Sequence, residues 1–170
     1  MDKSKMMFTR GNGKKVKYGE MVSHIADFIL KDIESHYVLT VGTDSQNADN
    51  TKMVEVIALH RIGDGGIFFY RTEFLPRISS IKQKIITETS RSLELADGLV
   101  DSIDLVLADS DLCTDDLNVS FQIHCDIGNY GKTKALIPVI INWVTICGYL
   151  CAIKPDSYCA SGIANKFSKF

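Results

Sequence analysis

The 170-residue sequence has no uninterrupted apolar stretch of membrane-spanning length, and its opening, MDKSKMMFTRGNGKK, has basic residues but lacks the apolar block of a signal peptide. A cytoplasmic location is expected, and no membrane partner is implied. None of the five cysteines (Cys113, Cys125, Cys147, Cys151 and Cys159) forms a CxxC pair, and their number is odd. That argues against a disulfide framework or a structural zinc site and leaves reduced, mostly buried thiols. There is no internal repeat and no long linker, so one domain with one core is expected. Two motifs are incomplete. In DIGNYGKT the first glycine of GxxxxGKT is replaced by Asp126, and too little chain follows to build the large sheet of a P-loop ATPase. Asp109, Asp111, Asp115 and Asp116 miss the spacing and central glycine of an EF-hand, which leaves a mobile acidic loop.

What is present is the composition of a globular protein, with 45% hydrophobic and 24% charged residues. The formal net charge of −2 conceals an asymmetry. Lys3, Lys5, Arg10, Lys14, Lys15 and Lys17 stand against Asp2 alone, so the start of the chain is about five units positive and the remainder about seven units negative. Residues 1–18 are expected to be a basic, flexible arm and residues 19–170 the folded domain. Such an arm either reaches a phosphate backbone or serves as a solubilising tail.

Along the domain, Val22, Ile25, Ile29 and Ile33 have the spacing of a helix with one buried stripe over 19–34. YVLTVGTDSQ is β-rich up to Gly42, which puts Asp44 at or near the end of a strand. Extended runs over Met53–Arg61 and Ile67–Phe74, joined through IGDGG, predict a hairpin, and the three runs together an antiparallel meander. After Pro76, residues 79–97 turn helical, and Glu88 falls on the same face as Ile81, Ile85, Ser92 and Leu95. A glutamate on such a face needs a partner, because burying it alone is costly. Residues 98–111 fit a helix or a short strand. VSFQIHCDIG alternates as a strand, with His124 and Asp126 on one side and Phe121, Ile123 and Cys125 on the other. A helix between Lys132 and Cys147, with Trp143 as a core anchor, precedes a short strand, YLCAIK. Asp156 or Ser157 can then cap a final helix whose Ile163, Ala164 and Phe167 pack inward.

Four acids far apart in sequence thus fall where an α/β fold can gather them: Asp44, Glu88, Asp126 and Asp156. Carboxylates brought together repel, and divalent cations can neutralise them. Each acid also has a purely structural reading. Asp44 and Asp126 can stabilise turns, Asp156 can cap a helix, and Glu88 can pair internally with Arg71 or Lys154.

Three segments, VGTDSQ, IHCDIGNYGKT and AIKPDSYCASGIANKFS, resemble the YkuK-like family of uncharacterised proteins in the ribonuclease H-like superfamily, over roughly Gly19 to Lys169. The resemblance implies an α/β fold with a mixed five-stranded sheet: a three-strand antiparallel meander, a crossing helix, two further strand and helix units, and helices on both faces. The superfamily's first aspartate then falls on Asp44, its helix glutamate on Glu88, its next aspartate on Asp126 and its late acid on Asp156, which is also the acid of the family's KPDS motif. Two features depart from a typical ribonuclease H. The connection from Val100 to Asn118 is long and acidic, and there is no basic hybrid-binding protrusion.

The function this implies is a nuclease that hydrolyses phosphodiester bonds in DNA or RNA, with Mg²⁺ or Mn²⁺ as cofactor and two ions engaged when substrate is bound. His124, Lys132 and Lys154 are the candidate substrate-binding residues. The alternative is a noncatalytic nucleic-acid-binding or protein-interaction domain that keeps the fold.

Overall fold

A computed structural model describes residues 2–168. The strands are β1 (Met7–Arg10), β2 (Lys15–Lys17), β3 (Tyr37–Asn47), β4 (Thr51–Arg61), β5 (Gly66–Leu75), β6 (Val119–Cys125) and β7 (Leu150–Ala152). They form one seven-stranded mixed sheet in the order β2-β1-β5-β4-β3-β6-β7. The expected meander is β3–β4–β5, antiparallel throughout. Gly63 and Gly65 take φ of 85° and 72° in the β4–β5 link, backbone angles that L side chains rarely adopt, hence the glycines of IGDGG. β6 and β7 then add in parallel on the other side of β3.

The α-helices are α1 (Tyr18–Leu30), α2 (Ile81–Ala96), α3 (Leu99–Leu107), α4 (Ile137–Ile146) and a short α5 (Asn165–Ser168), which continues a π-helical stretch, Cys159–Ala164. The ambiguous stretch 98–111 is therefore helical over α3. α1 stops short of Ile33, which is exposed rather than part of the buried stripe. The first four helices cover one face, where the main core joins Ile25, Leu39, Val41, Ile57, Phe69, Leu99 and Ile123, with Trp143 packed at its margin. The closing segment, 159–168, covers part of the other face, where Cys159 and Ala164 meet Val54, Val56 and Ala58.

The strand count and the basic arm both require correction. Two of the seven strands come from the segment expected to be a flexible arm: β1 and β2 pair as a hairpin, and β1 pairs with β5. The cause is a period-two pattern that the lysines obscure. Met6, Phe8 and Val16 are buried in the main core while Lys15 and Lys17 point outward. Each buried large side chain contributes about 2 kcal/mol, enough to hold a short hairpin on an existing sheet.

Close contact between β3 and the closing segment depends on Gly42, where an added Cβ would lie 2.9 Å from the Ala160 backbone nitrogen. Backbone cannot swing aside as a side chain can. Gly42→Ala is expected to destabilise the protein by about 1–3 kcal/mol, read from the urea unfolding midpoint, and to loosen segment 159–168, read from its amide hydrogen exchange.

Candidate active site

Side chains alternate along β3. Thr43 and Ser45 face α2, whereas Thr40, Gly42 and Asp44 face the closing segment. β3 runs three residues past Asp44, so Asp44 is not at the strand's very end. What stops there is the parallel pairing with β6, whose last register pair is Thr43 with Cys125. The next residue along each chain is an aspartate: Asp44 on one, Asp126 on the other.

Asp44 is buried, and its Oδ2 accepts a hydrogen bond from the Ser168 hydroxyl at 2.7 Å. Burial pushes its carboxyl above the usual carboxylate range; the Ser168 bond opposes this and the charge of Asp126 adds to it. Glu88 points inward from α2, on the face it shares with Ile85, Ser92 and Leu95, while Glu94 is exposed. Its Oε1 accepts the Ser45 hydroxyl at 2.6 Å. Burial raises its carboxyl to about 8, and the charges of Asp44 and Asp126 push the same way, against the Ser45 bond and Lys84. Neither ion pair considered for Glu88 forms. Arg71 pairs with Glu55, and Lys154 with Asp126.

Asp126 follows β6 directly. Its Oδ1 lies 3.0 Å from Lys154 Nζ and, among the described residues, has no hydrogen-bond partner in good geometry. Glu88 and Asp126 line one crevice with Thr43, Thr89 and Cys125, too narrow to admit a water molecule. Among the described residues, no three histidine, cysteine or carboxylate side chains form a ready-made metal cage. Mg²⁺ does not require one, since it is commonly held by one or two carboxylates, with water and substrate phosphate completing its shell. Two aspartates side by side, one with a poorly satisfied buried oxygen, fit that requirement.

The remaining candidates are placed differently. Asp156 is exposed in the turn at 154–156, and its charge acts on His124. It does not open the last helix, which begins three residues later with no side-chain cap bond from Asp156 or Ser157. His124 is buried, contrary to its expected place at phosphate. Its Nδ1 accepts the Cys159 backbone N–H at 3.1 Å, which leaves the proton on Nε2, 3.2 Å from the Gln122 side-chain oxygen. Burial lowers its basicity to a pKa of about 4, so it stays neutral and ties β6 to the closing segment. Lys132 is exposed in the turn before α4. Lys154, Asn129, Tyr130, Thr133 and Ser161 line an open cleft of about 510 Å³ beside Asp126.

Sequence inspection missed Lys84, Ser168 and the ion-pair ring that holds α2. Lys84 lies one turn before Glu88, an i to i+4 spacing that could have revealed it, and donates to the Ser45 carbonyl at 2.6 Å. In the ring, Glu55 on β4, 1% exposed, takes Arg71 from β5 and Arg91 from α2, the latter at 2.7 Å; Glu73 on β5 takes the same two arginines. Arg91 is one turn from Glu88, so this pairing also fixes where Glu88 points.

The raised carboxyls predict how stability changes with pH. A group whose folded pKa lies above its unfolded value holds its proton more tightly when folded, and this stabilisation is lost as pH rises through the folded value. For Glu88 the window runs from 4.5 to about 8. His124 acts oppositely, losing stability as pH falls from 6.5 towards about 4, so the Glu88 effect is cleanest above pH 6.5. In EDTA, Glu88→Gln should gain on wild type between pH 6.5 and 8, by at most about 1.4 kcal/mol per pH unit, read from urea midpoints. No divergence would mean that Glu88 is already ionised in the folded protein.

Among known proteins, the model of the family described as Ribonuclease H-like matches residues 20–169. The chain is also 38% identical over 159 residues to the "Uncharacterized protein YkuK" of Bacillus subtilis (strain 168), covering 89% of this chain and 91% of that one. No solved structure matches. The meander, the crossing α2 and the parallel β6 and β7 agree with that match, and the chain belongs to the Ribonuclease H-like family.

Proposed function

We propose that this protein is a divalent-metal-dependent nuclease acting on DNA or RNA, with Asp44, Glu88 and Asp126 at its reaction centre. The observation that carries this reading is the register that brings Asp44 and Asp126 in step where the parallel pairing of β3 and β6 ends, with both charges acting on the buried Glu88. A fold needs no such grouping for stability. Keeping Glu88 buried is itself a cost, tolerated where a cation can return its charge.

Asp44 and Asp126 are the proposed ligands of a Mg²⁺ or Mn²⁺ ion, and Glu88 becomes a third as it ionises. Bound there with a second ion, such metals would supply an activated water and stabilise the leaving oxygen of an in-line phosphodiester hydrolysis. The chain's own groups do the positioning. Ser168 orients Asp44, Ser45 orients Glu88, and Lys84 offsets part of the local negative charge. Lys154 is the proposed phosphate contact, since it already stands at Asp126 and lines the adjoining cleft. Lys132, exposed in the loop that follows Asp126, is a second candidate. Asp156 is retained only as an outer acid, through its effect on His124.

A panel of single-stranded and double-stranded DNA, RNA and hybrids with Mg²⁺ or Mn²⁺ tests the proposal. Cleavage is expected only with metal and should fall by about 100-fold or more in both Asp44→Asn and Asp126→Asn, the scale on which a positioned carboxylate acts. Equal cleavage in both variants would remove these residues from the reaction. Lys154→Gln should separate two effects: tighter Mg²⁺ binding by calorimetry, because a competing cation has gone, and a higher KM for oligonucleotide.

A further inference from the structure

The basic start of the chain is part of the sheet, and its cations are sorted by partner. Lys3 donates to the Leu95 and Asp97 carbonyls, Lys5 pairs with Asp2, and Arg10 lies over the Phe69 ring. Lys14, Lys15 and Lys17 are exposed and make no ion pair among the described residues. Register gives their position. Lys17 pairs with Met7; the β1–β5 register, carried on from Thr9–Tyr70, sets Met7 level with Thr72; Thr72 pairs with Val54, and Val54 with Asp44. Lys17 and Asp44 therefore stand at the same height, four strands apart, or about 19 Å at the usual strand spacing.

They also share a face. Phe8 and Val16 point into the main core, so Met7, Lys15 and Lys17 point to the opposite side, where Phe68 and Tyr70 meet Phe167 and where Asp44 meets Ser168. On the direct line Val54 is covered by the closing segment, but nearer the lysines Met7 is 48% exposed, and Phe74, two residues beyond Thr72 on β5, is 59% exposed. Lysines at an edge strand discourage edge-to-edge pairing, but that role does not call for a bare phenylalanine beside them. Cations bordering an exposed aromatic surface have the chemistry of a single-strand platform, with phosphates met by lysine and bases by the ring.

We infer that the β1–β2 hairpin and the exposed end of β5 beside it form a binding tract for single-stranded nucleic acid that passes the edge of the closing segment towards Asp44. This deepens the nuclease reading and rests on it for the destination of the strand.

The test is binding without catalysis. Fluorescence anisotropy in EDTA, across a salt series, would compare a labelled single-stranded oligonucleotide with the duplex of the same sequence. The Lys14→Gln/Lys15→Gln/Lys17→Gln variant should flatten the plot of log K against log salt by about 1.4, at roughly 0.7 for each phosphate that Lys15 and Lys17, the two lysines on this face, no longer neutralise. Phe74→Ala should weaken single-strand binding by about fivefold or more with the slope unchanged. Lys31→Gln, on the far side at the end of α1, should match wild type. Unchanged slope and affinity in the triple variant, an equal loss in Lys31→Gln, or tighter binding of duplex than of single strand would each overturn the tract. The two proposals fail separately: absent cleavage with this binding pattern intact removes the nuclease alone, and cleavage with the triple variant's binding unaltered removes the tract alone.

Discussion

The parallel pairing of β3 with β6 is the constraint on which the site depends. A one-residue slip in a strand reverses every side chain, and here the register from Tyr37–Val119 to Thr43–Cys125 sets which residues come next. Because the ladder ends where it does, Asp44 and Asp126 emerge side by side from neighbouring strands. β3 can pair in this way only because β4 holds its other edge along eleven register pairs, making it a central strand buried on both faces.

Around that junction the protein accepts electrostatic cost and confines it. Glu55 is as deeply buried as any carboxylate in the fold, yet two arginines and a second glutamate share its charge in a closed ring. Glu88, one turn along α2 from Arg91, has only the Ser45 hydroxyl and the more distant charge of Lys84. The two glutamates enter one sheet–helix interface from opposite sides, Glu55 from β4 and Glu88 from α2, and they differ in whether a guanidinium reaches them. The first fastens α2, and the second remains sensitive to protons and cations.

His124 and Lys154 show how local context reassigns residues of similar promise. Both flank Asp126 in sequence or in space, and both invite a phosphate-binding role. His124 lies inside β6 with both ring nitrogens engaged, so it serves the seam between the sheet and the closing segment. Lys154 stands at the rim with its ammonium on Asp126, where a metal ion or a phosphate would compete for one partner or the other.

The sequence by itself determined the α/β class, the β3–β5 meander, the strand and helix order of the domain, and the inward face of Glu88. Each follows from periodicity, and periodicity is a property of neighbouring residues. It also held part of the signal for β1 and β2, since Met6, Phe8 and Val16 bury at period two, but Met7 interrupts the apolar-polar alternation and six cations in seventeen residues outweighed a three-residue pattern. Only the tertiary structure decided the surroundings of each acid. A strand register puts Asp44 and Asp126 in step, a crossing helix buries Glu88 against Ser45, and Asp156 stays at the surface. Contacts between residues tens of positions apart depend on how whole elements pack, and no local spacing records that packing.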